Sequence, residues 1–351
     1  MALKKNVSKE QFIKTVIEKN HMIVAYGFGV IGKTVLPFFL DEAGLSERIM
    51  FIADADAHKQ EESIVVGENI VEVRAPEKMK EMQRGFSILI TASRYDGILE
   101  YLKRTEWIEN VDVYLLPQML AENAKTIGKH EIRNLGNDQI IPKTIHYCWF
   151  GNKEIPDRLK RCMESWRRYC PDYKIVKWNE DNYDISKHVY TKQAYEHRKW
   201  AFIPDLVRLE VLYEYGGIYL DTDVEIIRPL DDLLYQKGFV GVEKWGIINV
   251  GGGCGVIRNH PMMRLLLEKR AAILFEREDG SLNTESSGSY ETLPFIDYGF
   301  VPNNTVQTIN EMTVYSSDFF HPYDYMTGEL SITENTFSIH RFAESWVKKN
   351  N

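Results

Sequence analysis

The chain has few cysteines, no long apolar run and no excess of positive charge, and each of these absences excludes a class of protein. Its four cysteines, Cys148, Cys162, Cys170 and Cys254, show no Cys-x-x-Cys spacing, so we expect neither a disulfide framework nor a zinc site. No segment approaches the about 18 apolar residues that a membrane span requires. The net charge of −8 argues against a nucleic-acid partner, because phosphate binding needs clustered lysine and arginine.

The composition that remains is that of a globular protein large enough for two domains. The 351 residues are 44% hydrophobic and 27% charged, and each half is long enough to bury its own core. The opening residues contain no apolar segment of signal-peptide length. We therefore expect a cytoplasmic protein without a transmembrane segment, with peripheral contact at the inner face of a membrane as a second expectation.

The first 137 residues alternate strand-like and helix-like segments, as in a parallel sheet covered by helices. Ser8 is expected to cap the first helix. A short, turn-rich segment at 134–139 separates this region from a new apolar run, so we place the domains at 1–137 and 140–351. The four expected strands of the first domain lie at 22–26, 48–53, 86–91 and 111–116.

A glycine pattern follows the first of these strands. Gly27, Gly29 and Gly32 form a Gly-x-Gly-x-x-Gly turn before a helix, and Asp54 follows the second strand. Such a turn admits a pyrophosphate at a helix N-terminus, and the acidic residue can accept a hydrogen bond from a ribose hydroxyl. The same glycines also let a helix pack closely on a strand. The pattern therefore predicts a Rossmann-like domain and leaves open whether its nucleotide site works.

The second domain contains the stretch AFIPDLVRLEVLYEYGGIYLDTDV at 201–224. Asp205 and Arg208 lie three residues apart and would share one face of a helix. Gly216 and Gly217 would end that helix and lead the chain into a strand. The stretch therefore predicts a helix, a glycine break and a strand in succession.

Two carboxylates stand at the end of this stretch. Asp221 and Asp223 would lie on one face of a strand spanning 218–224, and paired carboxylates of this kind hold Mg²⁺ or Mn²⁺ together with substrate phosphates. A solvated acidic strand end is the alternative for the carboxylates taken alone. The chain has another Asp-x-Asp at 54–56, so only the surroundings make the second one a candidate metal site.

Two further segments of the second domain carry candidate binding residues. Trp149, in a strand-like run that ends in aromatics and a glycine, could stack on a nucleobase or belong to the core. Asn249 precedes Gly251, Gly252 and Gly253, a strand edge of small residues that a ligand could approach closely. Both segments are therefore candidates for ligand binding, with a place in the core as the alternative for Trp149.

The second domain resembles the DXD-motif sugar-transferase family, which includes initiating α-mannosyltransferases and bacterial capsule-synthesis enzymes, with the large glucosylating toxins as distant relatives. The similarity covers 140–346. It rests on six ordered segments: IPKTIHYCWFG, the SW and CPDY pieces at 165–173, WNEDNYD, PDLVRLEVLYEYGGIYLDTDV, INVGGGCGV and IHRFAESW.

The resemblance implies a GT-A-type fold and a retaining glycosyltransferase that needs Mn²⁺ or Mg²⁺. It implies transfer from a nucleotide sugar, with a UDP-sugar favoured, to a glycan or lipid-linked glycan acceptor. Capsular or other surface polysaccharide synthesis is the implied context. A segment at 285–294 departs from the Gly-Pro-rich stretch usual in the family, and we expect the loop 278–290 to become ordered when substrate binds.

The resemblance also assigns roles to individual residues. Asp205, Arg208, Asp221 and Asp223 are the implied catalytic group. Asp223 is the implied direct metal ligand, with Asp221 beside it and His340 completing the shell. The implied donor-binding residues, besides those in the catalytic group, are Trp149, Asn249, Ser345 and Trp346, of which the last two would close over the diphosphate.

Two other functions fit parts of the sequence. One is an NAD(P)-dependent sugar-nucleotide oxidoreductase or epimerase built on the first domain, for which Tyr183 with Lys187 and Tyr195 with Lys199 offer a Tyr-x-x-x-Lys spacing. The other is a non-catalytic protein that binds a nucleotide sugar. For the transferase itself, no carboxylate is identifiable as a nucleophile, so the working hypothesis is front-face attack.

Overall fold

The computed structural model describes residues 1–82, 85–123, 130 and 132–343. The chain divides into two compact units, Met1–Thr126 with Val301–Asn303, and Ile127–Phe300 with Asn304–Asn351. Both units are mixed α/β with parallel strand pairs in their sheets. Within the described ranges, no helix has the length and apolar character to cross a bilayer.

The first unit contains seven strands and four α-helices in the residues described. The strands are β1 (Ala2–Leu3), β2 (Met22–Tyr26), β3 (Ile49–Ala53), β4 (Ser63–Val66), β5 (Asn69–Arg74), β6 (Phe86–Ile90) and β7 (Asp112–Leu115). The helices are α1 (Lys9–Glu18), α2 (Leu36–Glu42), α3 (Asp96–Lys103) and α4 (Leu116–Asn123), with a π-helical segment Ile31–Val35 leading into α2. The four expected strands are confirmed to within one residue at each end.

The sheet of the first unit has the strand order β1-β7-β6-β2-β3-β5-β4. All neighbouring pairs are parallel except β4 with β5. After β1 at one edge, the chain enters the middle of the sheet at β2, continues outward through β3 to one side, and then crosses to β6 on the other side. A crevice therefore opens at the carboxyl end of β2, where the direction of winding reverses.

Local sequence explains why the first helix begins where it does. The Ser8 hydroxyl accepts from the Gln11 amide, and the Gln11 side chain accepts from the Ser8 amide, which is the reciprocal capping box. Phe12 and Val16, four residues apart on one face, are fully buried. The expected cap at Ser8 is confirmed.

The second unit contains nine strands and six α-helices in the residues described. The strands are β8 (Thr144–Cys148), β9 (Lys174–Trp178), β10 (Gly217–Tyr219), β11 (Val224–Ile226), β12 (Gly238–Val242), β13 (Ile248–Val256), β14 (Gln307–Ile309), β15 (Met312–Tyr315) and β16 (Ser338–His340). The helices are α5 (Asp157–Tyr169), α6 (Val189–Glu196), α7 (Pro204–Tyr215), α8 (Pro261–Ala271), α9 (Ser287–Asp297) and α10 (Ser317–Phe320).

A mixed sheet of order β14-β15-β12-β13-β10-β8-β9 forms the centre of the second unit, and β11 pairs with β16 in a separate two-stranded sheet. Helix α7 is buried over most of its surface, and its apolar side chains join those of β12 and β13 in one core. A helix buried on nearly all sides holds its polar groups in fixed positions, because the surrounding core leaves them no room to move.

The strand expected at 218–224 does not form as one piece. β10 ends at Tyr219 and β11 begins at Val224. A turn lies between them, closed by the Val224 amide donating to the Asp221 carbonyl at 3.0 Å. The prediction that Asp221 and Asp223 share a strand face is therefore wrong, because the chain leaves the large sheet here to pair with β16.

Candidate metal and donor site

Glycines at the end of α7 set the path of the chain into the site. Gly216 and Gly217 have φ angles of +65° and +96°, in the left-handed region that favours glycine. A Cβ at Gly216 would lie 2.7 Å from the Arg258 amide nitrogen, and one at Gly217 would lie 2.7 Å from the Thr144 carbonyl oxygen. The predicted helix and glycine break are confirmed, and no larger residue fits at either position.

Helix α5 holds the strand that follows the two carboxylates. The Trp166 indole, fully buried, donates to the Val224 carbonyl at 2.7 Å. The Ser165 hydroxyl oxygen accepts from the Ile226 amide at 2.8 Å. The SW pair of the sequence therefore fixes the position of β11, and with it the position of the turn before it.

Three candidate metal ligands meet at this turn. Val224 pairs with His340 across β11 and β16, which brings a histidine from more than a hundred residues away next to the carboxylates. One ligand atom each from Asp221, Asp223 and His340 lies within 4.8 Å of the others. The His340 Nε2 atom is 3.3 Å from Asp223 Oδ1.

The chemistry of these donors fits a divalent cation of the Mn²⁺ or Mg²⁺ type. Two carboxylates and one imidazole leave positions for phosphate oxygens and water, as such ions require. The Asp223 Oδ2 atom accepts from the Ala343 amide at 2.7 Å, which orients the carboxylate. The structure therefore brings together the three residues that the sequence proposed as ligands.

Burial and charge shift the pKa values of all three groups. Burial raises the pKa of Asp221. It acts in the same direction on Asp223, but the His340 charge and the hydrogen bonds from His340 and Ala343 outweigh it and lower that pKa. Burial lowers the pKa of His340, but the Asp223 charge outweighs it and raises that pKa. Without a cation, His340 and Asp223 therefore form an ion pair, and a bound cation would take the place of the His340 proton.

Arg208 connects this turn to α7. Its side chain is buried, at 4% exposure. One terminal nitrogen lies 3.2 Å from Asp205 Oδ1, and the other lies 3.8 Å from Asp221 Oδ2. The expected pairing of Asp205 with Arg208 is confirmed. Because the arginine also faces Asp221, three of the proposed residues, Asp205, Arg208 and Asp221, form one connected group.

Glu291, on α9, is a further partner of Arg208 that the sequence did not indicate. It is 2% exposed, bonds to an Arg208 terminal nitrogen, and accepts from the Val250 amide at 2.9 Å. Burial raises its pKa to about 6, although the Arg208 charge acts in the opposite direction. Ser286 caps α9 and could have indicated a helix at 287–297, but no pattern in the sequence indicates that its glutamate is buried.

Protein side chains pack directly against the glycines of β13, so no larger residue fits at these positions. A Cβ at Gly251 would overlap the Asp221 carboxylate, and one at Gly252 would overlap the imidazole of His321. The β12–β13 pairing shifts register at Gly241, where His321 also lies against the backbone. The small residues suggested space for a donor sugar at these positions, whereas Asp221 and His321 already occupy the space beside them.

Asn249 and Trp149 are each held by neighbouring groups. The Asn249 amide donates to Glu243 Oε1 at 2.9 Å and accepts from the Gly252 amide at 2.9 Å. Trp149 is half-buried against the core, and its indole nitrogen donates to the Lys153 carbonyl at 2.6 Å. The structure thus fixes both side chains without testing their roles in donor binding. Ser345 and Trp346 lie outside the described residues.

The glycine turn of the first unit has a different geometry. Gly27 has a φ of +112°, a Cβ at Gly32 would overlap the Gly27 carbonyl, and a Cβ at Gly29 would meet nothing within 4 Å. A cavity of about 410 Å³ lies beside this turn. Asp54, which lines the cavity, accepts from the Phe28 amide at 2.6 Å. Its carboxylate therefore braces the glycine turn.

The sequence around these residues is similar to that of a known family. The family model for the glycosyltransferase sugar-binding region containing the DXD motif matches residues 156–240. This range includes Asp205, Arg208, Asp221 and Asp223. The predicted resemblance to the DXD sugar-transferase family is confirmed.

Parts of the chain are also similar to individual proteins. The chain is 33% identical over 144 residues to inositol phosphoceramide mannosyltransferase 3 of Schizosaccharomyces pombe, covering 39% of each protein. It is 32% identical over 106 residues to mannosyl phosphorylinositol ceramide synthase SUR1 of Saccharomyces cerevisiae, covering 29% of this chain and 28% of that protein. The chain thus spans about two fifths or less of the length of these relatives. Among solved structures, PaToxG glycosyltransferase is 20% identical, with a TM-score of 0.37 over 52% of this chain and 75% of that one.

Proposed function

We propose that the protein is a metal-dependent, retaining glycosyltransferase that moves a hexose from a nucleotide sugar to a glycan or glycolipid. The observation that carries the proposal is the convergence of Asp221, Asp223 and His340 on one point, with Arg208 bound beside them. Asp221 and Asp223 lie in the region matched by the DXD family model. A surface acidic cluster would have neither the buried arginine nor the histidine.

The side chains fit the charges that develop during sugar transfer. Breaking the bond to the anomeric carbon leaves negative charge on the diphosphate and positive charge on the sugar. A bound Mn²⁺ or Mg²⁺ would act as a Lewis acid on the leaving diphosphate. Asp221 and Asp223 would hold the cation, while Asp205 and Glu291 keep the Arg208 guanidinium in a fixed position, so little reorganisation would accompany the reaction.

The partners of Glu291 and Asp205 support front-face attack. Both oxygens of Glu291 are bonded, one to Arg208 and one to the Val250 amide. Asp205 faces Arg208 at 3.2 Å and Arg270 at 3.4 Å. A nucleophile needs a free oxygen aimed at the anomeric carbon. Under our proposal, the departing diphosphate accepts the proton of the acceptor hydroxyl.

The donor and acceptor are proposed at the level of class. A UDP-sugar is the donor that the sequence favoured, whereas the relatives named above are mannosyltransferases and add GDP-mannose to the candidates. Their names also add an inositol-phosphate lipid to the glycan acceptors already considered. Synthesis of a capsular or other surface polysaccharide at the cytoplasmic side of a membrane stays our proposed context.

We also propose that the two units correspond to a Rossmann-like accessory domain and a GT-A-type catalytic domain, at 1–137 and 140–351. The reversal of winding at β2 supports the first assignment, because dinucleotide-binding sheets share this order. The oxidoreductase alternative finds no support in its Tyr-x-x-x-Lys candidate Tyr183 and Lys187. The Tyr183 hydroxyl and the Lys187 ammonium both bond to Glu210. Hydride chemistry would need these two groups to be available to a substrate.

A donor-hydrolysis screen tests the proposal. UDP-glucose, UDP-galactose, their N-acetyl forms and GDP-mannose are each incubated with the protein, with and without Mn²⁺. We expect metal-dependent release of a nucleoside diphosphate from one donor, and its loss in Asp223→Ala. No release from any donor, combined with tight binding of a nicotinamide dinucleotide, would reject the transferase in favour of the oxidoreductase.

A further inference from the structure

A charged cleft opens beside the proposed metal site. Its volume is about 370 Å³, and it lies between α5, β11 and the segment that follows β16. Asp223 forms part of its wall, so a ligand in the cleft would be next to the cation. The other charged residues that line the cleft are Arg158, Arg161, Glu225 and Arg341.

The two carboxylates of the cleft already have partners. Glu225 accepts from the Arg341 guanidinium, with Nε at 3.0 Å. Asp223 faces His340 and the Ala343 amide. The negative charges of Glu225 and Asp223 are therefore balanced by groups of the protein, and a bound cation would balance any negative charge that remains.

Two arginines keep donor groups available in the same cleft. Arg158 and Arg161 lie three residues apart on α5, so their side chains project from one face, and both are exposed. Arg158 donates from one terminal nitrogen to the Ala343 carbonyl at 3.0 Å. In the part of the chain that the structure describes, no carboxylate lies within ion-pairing distance of either side chain. The cleft therefore carries uncompensated positive charge.

The remaining polar group of the wall does not change this balance. Cys162 lies next to Arg161 in the sequence and also lines the cleft. Burial raises the pKa of its thiol to about 11, so it stays uncharged at neutral pH. A neutral thiol neither neutralises the arginines nor competes for a hard cation.

We propose that Arg158 and Arg161 bind a phosphate group of a substrate in this cleft, next to the metal site. The inference rests on the proposed function. A guanidinium presents paired N–H donors that match phosphate oxygens, and a pair of them on one helix face defines an anion site. The phosphate comes either from the donor diphosphate or from a phosphate-bearing acceptor.

Binding of inorganic pyrophosphate to the full chain tests the site without turnover. Calorimetric titration in EDTA would compare wild type with Arg161→Ala and Arg161→Glu. We expect about tenfold weaker binding for the alanine variant, and more for the glutamate, because a charged hydrogen bond is lost. Arg167→Ala is the matched control, since Arg167 is exposed on the same helix but does not line the cleft, and it should bind as wild type does.

Arg161 is a suitable position because it is exposed and its loss leaves no buried group unpaired. Thermal melts of all variants should coincide within about 2 °C. Pyrophosphate binding that is undetectable in wild type, or equal in wild type and Arg161→Ala, would overturn the proposal. This readout involves no donor turnover, so a failure of the anion site and a failure of the proposed function give different results.

Two further titrations identify the source of the phosphate. If the donor supplies it, Arg161→Ala weakens binding of UDP or GDP in the presence of Mn²⁺. If the acceptor supplies it, nucleoside diphosphate binding is unchanged. Transfer to a phosphate-bearing acceptor then falls about tenfold relative to transfer to a neutral glycan.

Discussion

The chain contains two Asp-x-Asp motifs, and their carboxylates have different kinds of partner in the structure. In the first unit, Asp54 accepts from the Phe28 and Asp56 amides, and Asp56 accepts from the His58 amide. These bonds come from the backbone, and the Lys59 ammonium lies 3.6 Å from Asp54 Oδ2. Both carboxylates therefore stabilise local turns, as short acidic side chains commonly do.

In the second unit, the partners of the motif include side chains from distant segments. Asp221 accepts from the Tyr219 hydroxyl at 3.0 Å and faces Arg208, whereas Asp223 faces His340. A histidine and a buried arginine therefore converge on this motif. The comparison shows that the function of an Asp-x-Asp depends on what the fold places against it.

Removing one carboxylate from each motif should give the largest contrast. Asp223→Asn should lower metal-dependent donor hydrolysis by about a thousandfold, because a Lewis-acid contribution of several kcal/mol is lost. Asp56→Asn should leave the rate unchanged. The measurement is nucleoside diphosphate release at saturating Mn²⁺, and equal losses in the two variants would contradict the distinction drawn here.

Substitution of Glu291, a buried partner of Arg208, should have the next largest effect. Glu291→Gln keeps the shape of the side chain but leaves the buried Arg208 charge less balanced, so we expect the free energy of unfolding to fall by about 3 kcal/mol. The acid limb of the rate profile near about pH 6, where the Glu291 carboxyl ionises, should also disappear. Chemical denaturation and rate profiles against pH provide the two readouts.

Glu276→Gln is the control for that substitution. Glu276 pairs with His197 at 2.9 Å, with both side chains more than a third exposed, and exposed pairs contribute at most about 1 kcal/mol. A loss of stability in Glu276→Gln as large as in Glu291→Gln would show that burial of the Arg208 pair has no special role.

Replacing one glycine in each unit should give a smaller difference, in this case in stability. Gly252→Ala places a methyl group against His321, and we expect it to lower stability by about 2 kcal/mol through overpacking. Gly29→Ala meets open space and should change stability by no more than about 0.5 kcal/mol. Thermal melts check both, and similar melting temperatures would show that the β13 backbone can move away from His321.

The pH dependence of Mn²⁺ binding gives the smallest effect. His340 must be neutral to bind a cation, and its pKa is raised by Asp223 after the opposing effect of burial. Mn²⁺ affinity should therefore increase as pH rises, by about tenfold per unit until the raised pKa is passed. Calorimetry between about pH 6 and about pH 8 measures this change.

The same group has a linked effect on the metal-free protein. A raised folded-state pKa means that the His340–Asp223 pair contributes stability below the unfolded pKa of histidine, and that this contribution is lost as pH rises through the folded value. His340→Gln should remove most of the pH slope of Mn²⁺ binding. An unchanged slope in that variant would mean that a group other than His340 loses the proton when Mn²⁺ binds.

Several parts of the fold could be predicted from the sequence because their determinants are local. The capping box at Ser8, the apolar strand at Met22–Tyr26 and the glycine pair after α7 each act through neighbouring residues. The helical spacing of Asp205 and Arg208 likewise ensured their contact. In these cases, backbone geometry alone determines the result.

The parts that could not be predicted depend on residues far apart in the chain. The turn at 221–224 forms because β11 pairs with β16, and His340 reaches Asp223 through the same pairing. Glu291 is buried because it meets Arg208 and the Val250 amide. A buried carboxylate is tolerated only where such partners exist, and no spacing in the sequence reports them.

The sequence by itself determined four strands of the first unit, the position of the glycine breaks and the identity of the candidate ligands. Only the tertiary structure decided which Asp-x-Asp meets a histidine and an arginine, and which glycines give room to protein side chains. The physical reason is that propensity, capping and periodicity act over a few residues. The charge balance of a buried site is summed over side chains that only the folded chain brings together.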